Sequence, residues 1–93
     1  MTLQQAMADA TEQLMEASFN TPADINKGGC FEWATLVFAD VEGTQIHGHH
    51  RYGGGYHVFI SYRGRYYDSE TPQGITRWQN LPYFKRCRAE DVV

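Results

Sequence analysis

Apolar positions along the chain change period three times. Leu3, Met7, Ala10, Leu14, Met15 and Phe19 recur at spacings of three to five residues or fall side by side, with Gln4, Gln5, Asp9, Glu12, Gln13 and Glu16 among them. That spacing predicts an amphipathic helix over residues 2–19, capped by Thr2 and stopped by Pro22. From Asn20 to Gly29 the periodicity lapses, and Pro22, Asn26 and Gly28-Gly29 read as a loop. It resumes at Cys30, Trp33, Ala34, Val37 and Phe38, the stripe of a second helix over residues 30–40 that Glu42-Gly43 ends. Residues 44–50 read as a short, histidine-rich polar strand. Residues 56–62 and 65–68, rich in aromatic and β-branched side chains, flank Arg63-Gly64 as the arms of a hairpin with a two-residue turn. Residues 75–84 add a short helix or strand anchored by Trp78, Leu81 and Phe84, and residues 88–93 read as a polar tail. The expected architecture is one α+β domain over residues 1–93, N-terminal helices packed on an antiparallel sheet of three or four strands.

Composition narrows the partners. Six Tyr, five Phe and two Trp give a short chain large side chains to bury. The net charge is −3 with no basic run, which argues against nucleic acid as the main partner. No stretch reaches the roughly 20 apolar residues of a membrane span, and residues 1–7 lack the basic segment and apolar run of a signal peptide. A reducing, cytoplasmic setting is therefore expected, with Cys30 and Cys87 as free thiols. Two cysteines are too few for a disulfide scaffold or a four-cysteine zinc site.

Candidate chemistry centres on Cys30. Gly28-Gly29 delivers it to the first turn of a helix, where unpaired backbone N–H groups and the macrodipole favour an anion. A thiolate is stabilised there, and the thiolate is the nucleophile; a buried structural cysteine is the competing reading. The Arg63-Gly64 turn sets a register in which Tyr62 faces Arg65, Ile60 faces Tyr67, Phe59 faces Asp68 and His57 faces Glu70. Side chains alternate, so His57 and Asp68 share a face as diagonal neighbours, whereas a slip of one residue would separate them. Cys30, His57 and Asp68 then supply a nucleophile, a base and an orienting carboxylate. Glu70, opposite His57, is the rival orienter.

These residues resemble the papain-like cysteine hydrolase superfamily, in particular its transglutaminase-like branch. The matching segments are Gly28-Gly29-Cys30-Phe31-Glu32-Trp33-Ala34, His57-Val58-Phe59-Ile60 and Gly64-Arg65-Tyr66-Tyr67-Asp68. Tyr67-Asp68-Ser69-Glu70-Thr71-Pro72-Gln73-Gly74 also resembles a segment of small uncharacterised phage and bacterial proteins built on this minimal core. The similarity runs from Asn26 to Phe84. It implies Cys30 as nucleophile, His57 as base and Asp68 as orienter, without a cofactor. Members often place a polar side chain upstream of the cysteine to bind the oxyanion; Asn26 is the candidate here, with the Cys30 backbone N–H as second donor, and a simple loop-capping role is equally open. Trp33 and Glu70 join Asn26 as candidate oxyanion- or substrate-binding residues. The implied activity is amide-bond hydrolysis of a peptide or protein, as in a cysteine peptidase or amidase, or transglutaminase-like acyl transfer. The chain is shorter than most transglutaminase-like enzymes, which implies a shallow groove or one completed by a partner.

Two other readings compete. His47, His49, His50 and His57 lie close in sequence and Cys30 could join them, but no Cys-x-x-Cys or His-Glu-x-x-His spacing is present, so no metal is expected. Gly53-Gly54-Gly55 reads as a flexible loop, since no helix carrying Lys and Ser or Thr follows. Cys87 has cationic neighbours but no base nearby in sequence. The non-catalytic alternative is a protein-binding or inhibitor module, its patch made by Tyr52, Tyr56, Trp78 and Tyr83. An exposed edge strand also makes a homodimer an expectation to test.

Overall fold

A computed structural model describes residues 1–50 and 56–91. The first helix, α1, spans Leu3–Ala17, and Thr2 caps it by accepting a hydrogen bond from the Gln5 N–H at 3.1 Å. It buries Leu3, Ala6, Met7, Ala10 and Leu14, while Met15 stays on the outer face.

The segment read as a loop is instead largely helical. Helix α2 spans Pro22–Gly28 behind Thr21, whose Oγ1 accepts from the Asp24 N–H at 3.2 Å. Pro22 occupies the first turn, where its missing N–H costs nothing and its fixed φ suits the helix. Seven residues hold too few turns to show a period. After Gly29, α3 spans Cys30–Asp40 and buries Trp33, Ala34 and Val37. Phe38, placed on the buried stripe by its spacing, is 51% exposed. The apolar face is narrower than its sequence spacing implies.

The sheet is an antiparallel meander of β1 (Gln45–His50), β2 (Tyr56–Tyr62) and β3 (Arg65–Tyr67) in the order β1-β2-β3. Ile60 faces Tyr67 and Tyr62 faces Arg65, the register expected from the turn. Arg63 (φ 51°) and Gly64 (φ 82°) are both left-handed, as a type I′ turn requires. One antiparallel bridge, Tyr66 to Ile75, extends the sheet beyond β3.

Alternation along β2 divides the core. Val58 and Ile60 pack with α1, Ile25, Trp33, Ala34 and Val37, whereas Phe59 packs with Leu81, Tyr83, Phe84 and Cys87. The second cluster is carried mainly by α4, which follows a single 3₁₀ turn (Trp78–Asn80) and spans Pro82–Asp91. Residues 88–91, read as part of a polar tail, therefore continue a helix. Among the described residues, no helix is long and apolar enough to cross a membrane.

The loop after β3 is closed by backbone bonds from the Thr71 N–H to the Asp68 carbonyl (3.0 Å) and from the Gly74 N–H to the Thr71 carbonyl (3.2 Å). Gly74 has φ 75°, and a Cβ there would lie 2.6 Å from the Tyr67 ring. Gly74→Ala should destabilise by about 1–2 kcal/mol from the left-handed backbone alone, with ring displacement added. Urea unfolding measures it; a midpoint equal to wild type would mean that the loop does not hold this conformation.

Candidate active site

Cys30 opens α3, half-buried, with its sulfur approached by the backbone N–H groups of Phe31 and Val58. Phe31 supplies one of the free amides of the helix start. Val58 belongs to the part of β2 that runs past the end of β3.

His57 is fully buried on β2. Its Nε2 lies 3.1 Å from Asp68 Oδ2, leaving Nδ1 as the ring nitrogen available to Cys30. Nδ1 is buried without a partner at hydrogen-bond geometry, yet thiol and ring shift each other's titration. Asp68 is 1% exposed and uses both oxygens, since Oδ1 accepts the Glu70 N–H at 3.0 Å.

The thiol and the imidazole shift in opposite directions. Burial pushes the Cys30 thiol up, but the adjacent His57 ring, the Val58 N–H, the imidazolium charge and the Phe31 N–H together hold it below its ordinary value. Burial pushes His57 down, but the hydrogen bond to Asp68, the adjacent Cys30 sulfur and the charges of both raise it above its ordinary value. Each group thus shifts the other toward its charged form, against the burial of both.

Aromatic rings hold the imidazole from α4 and β2. Tyr83 stacks on it at 4.3 Å and 24°, Phe84 meets it edge-on at 5.3 Å, and Phe59 lies tilted at 5.9 Å. Tyr83, assigned to an exposed patch from sequence, is therefore buried against His57. Of the rest of that patch, Tyr56 is exposed, Trp78 is half-buried, and Tyr52 lies outside the described residues together with Gly53-Gly54-Gly55.

Glu70 does not hydrogen-bond His57. Its Oε1 and Oε2 accept from Arg86 Nη1 (2.8 Å) and Nη2 (2.7 Å), and Oε2 also accepts from Asn26 Nδ2 at 2.8 Å. Burial raises the Glu70 pKa, but Arg86 and Asn26 pull it below the usual carboxylate value. Asn26 Oδ1 accepts from Ser69 Oγ at 3.0 Å, and the same hydroxyl lies 2.7 Å from the Pro22 carbonyl. Of the two roles open to Asn26, the structure displays the structural one, a buried lock between α2 and the loop after β3.

Trp33 is also buried, its Nε1 donating to Thr11 Oγ1 at 3.0 Å. It lines a pocket of about 410 Å³ with Met7, Thr11, Pro22, Asp68 and Ser69, which includes neither Cys30 nor His57. Trp33 thus borders this pocket together with Asp68.

The histidines of β1 are held by neighbouring side chains, and His47 and His49 both stack on Phe59. His47 Nε2 lies 2.7 Å from Ser61 Oγ, and its pKa is lowered by burial and by His49. His49 stacks on Trp78 at 4.0 Å, and His50 meets Tyr56 edge-on at 4.8 Å. Among the described residues, no group of three or more His, Cys, Asp or Glu is placed to hold a metal ion. Arg86 and Tyr83 had no place in the sequence-derived site; their three-residue spacing puts both on one face of a helix, but only if α4 is known to continue past Phe84. Compared with protein-family models, curated proteins and solved structures, the chain matches none.

Proposed function

We propose that this protein is a thiol-dependent amide-bond hydrolase acting on a peptide or protein, without a cofactor. The observation that carries this reading is the buried His57, held by Asp68 through Nε2, whose ring and the Cys30 thiol shift each other's titration. The Cys30 thiolate attacks the amide carbonyl carbon, forming a C–S bond and a tetrahedral oxyanion. His57 Nδ1–H gives its proton to the leaving nitrogen as the C–N bond breaks, leaving a thioester. Neutral His57 then takes a proton from water, whose oxygen attacks the thioester; the C–S bond breaks, the acid leaves and the thiolate–imidazolium pair is restored. Asp68 fixes the ring tautomer and steadies the imidazolium. With the Asn26 amide engaged elsewhere, the Cys30 backbone N–H, free at the helix start, is the oxyanion donor that this reading assigns.

A non-catalytic binding module is the second reading. It is favoured by the exposure of Phe31 (61%), Phe38 (51%) and Tyr56 (51%). One measurement separates the two: the pH dependence of Cys30 alkylation by iodoacetamide, resolved from Cys87 by peptide mass spectrometry. The hydrolase reading expects the acidic limb well below the free-thiol value of about 8.5, because a lowered thiol pKa leaves more thiolate at any pH beneath it. A limb at the ordinary value would sink the hydrolase and leave the binding module. Given a low limb, amine release from a panel of peptide amides, with and without an added primary amine, separates hydrolysis from acyl transfer.

A further inference from the structure

Helix α4 meets the site twice on one face. Tyr83 covers the His57 ring, and one turn later Arg86 grips both oxygens of Glu70. Glu70 is in turn connected to the triad, since its backbone N–H holds Asp68 Oδ1 and its Oε2 holds Asn26 on α2. The chain of contacts therefore runs from Arg86 through Glu70 to Asp68, and from Asp68 to His57. Glu70 is 17% exposed, and its carboxylate feels the charge of His57. Removing one partner from such a pair leaves the other charge uncompensated.

We propose that Arg86 is a positioning residue for the Cys30–His57 pair: its fork on Glu70 fixes the turn that aims Asp68 and seats Tyr83 on the ring. The inference rests on the reactive-pair reading above. The ionisable groups around His57 are Cys30 from α3, Asp68 and Glu70 from the loop after β3, His49 across the strand pair on β1, and Tyr83 and Arg86 from α4. Cys87 adds a further charge interaction with Arg86 itself.

Without Arg86, the turn that aims Asp68 is loosened, and Asp68 holds the imidazolium less well. A weaker imidazolium supports the thiolate less, which moves the acidic limb of Cys30 alkylation toward higher pH.

The test is the site-resolved alkylation profile of wild type, Arg86→Gln and Arg86→Lys, each verified as folded by near-ultraviolet circular dichroism. Arg86→Gln should move the acidic limb up by about one pH unit, a tenfold slower reaction on that limb. Arg86→Lys keeps the charge but loses the fork, so it should recover part of that displacement. A folded Arg86→Gln with the wild-type profile would overturn the inference while leaving the reactive pair intact, reducing Arg86 to a stabilising contact. Ordinary thiol behaviour in wild type would overturn both. Should Arg86→Gln not fold, Arg86→Lys decides: a limb between wild type and the free thiol supports the inference, and an unmoved one overturns it.

Discussion

His57→Gln is expected to slow alkylation of Cys30 at pH 6 by up to about 300-fold, the ratio between full ionisation and that of a thiol titrating near 8.5. Burial is the largest single influence on the Cys30 thiol, and it acts upward. The His57 ring leads what opposes it, ahead of the Val58 N–H, with the imidazolium charge and the Phe31 N–H after them. Removing the ring therefore takes the thiol back toward its ordinary value. Glutamine suits the test better than alanine: the site is walled by Tyr83, Phe84 and Phe59, and truncation to alanine would open a cavity among them. On the hydrolase reading the same variant should lose about 10²–10⁴ in turnover, the usual worth of a positioned general acid–base. Reactivity within a factor of two of wild type at pH 6, in a folded variant, would mean that Cys30 owes its state to the helix start and not to His57.

Much of this site is legible before any coordinates. The Gly28-Gly29 pair and the apolar spacing from Cys30 to Val37 place a thiol at a helix start, and Arg63-Gly64 fixes the register that brings His57 and Asp68 to one face. Both signals are local, with periods and turns confined to a few residues. What escapes the sequence is set at longer range. The Asn26 amide meets Glu70 across 44 residues of chain and Ser69 across 43, and no local pattern encodes that partner set. Pro22 reads as a breaker because its two structural uses, ending a helix and opening one, look alike until Thr21 is recognised as a cap. Helix α4 hides for a related reason: after Phe84 its residues are Lys, Arg, Cys and Arg, whose composition resembles a solvated tail. Its hold on the fold comes from Tyr83, Phe84 and Cys87 packing around Phe59 and from Arg86 on Glu70. That hold belongs to tertiary packing, not to local propensity.

Cys30→Ser should leave the fold in place and cost on the order of 10⁴ or more in turnover, since the members of such a unit fail together and only binding and the oxyanion donor remain. It should also change His57, which a scaffold reading would not require. The Cys30 sulfur is among the groups that raise the imidazole, so exchange for a hydroxyl that stays neutral removes a charge and a hydrogen bond. The His57 titration, followed by NMR of the ring, should therefore move to lower pH, with Asp68 keeping it from falling further. Stability supplies an independent sign. A thiol whose folded pKa is lowered stabilises the protein above its unfolded value, and that advantage disappears as the pH falls through the folded one. Wild type should thus gain on Cys30→Ser as the pH rises through the folded Cys30 pKa toward the ordinary thiol value, and the two should converge at acid pH. His57 runs the opposite way: its raised pKa stabilises fully below the unfolded value of about 6.5 and is lost as the pH climbs through the folded one. Urea unfolding of both proteins across that range reads the difference directly. A constant gap between the two curves, with an unmoved His57 titration, would show that sulfur and ring do not share a charge and would remove the thiolate–imidazolium pair on which the mechanism depends.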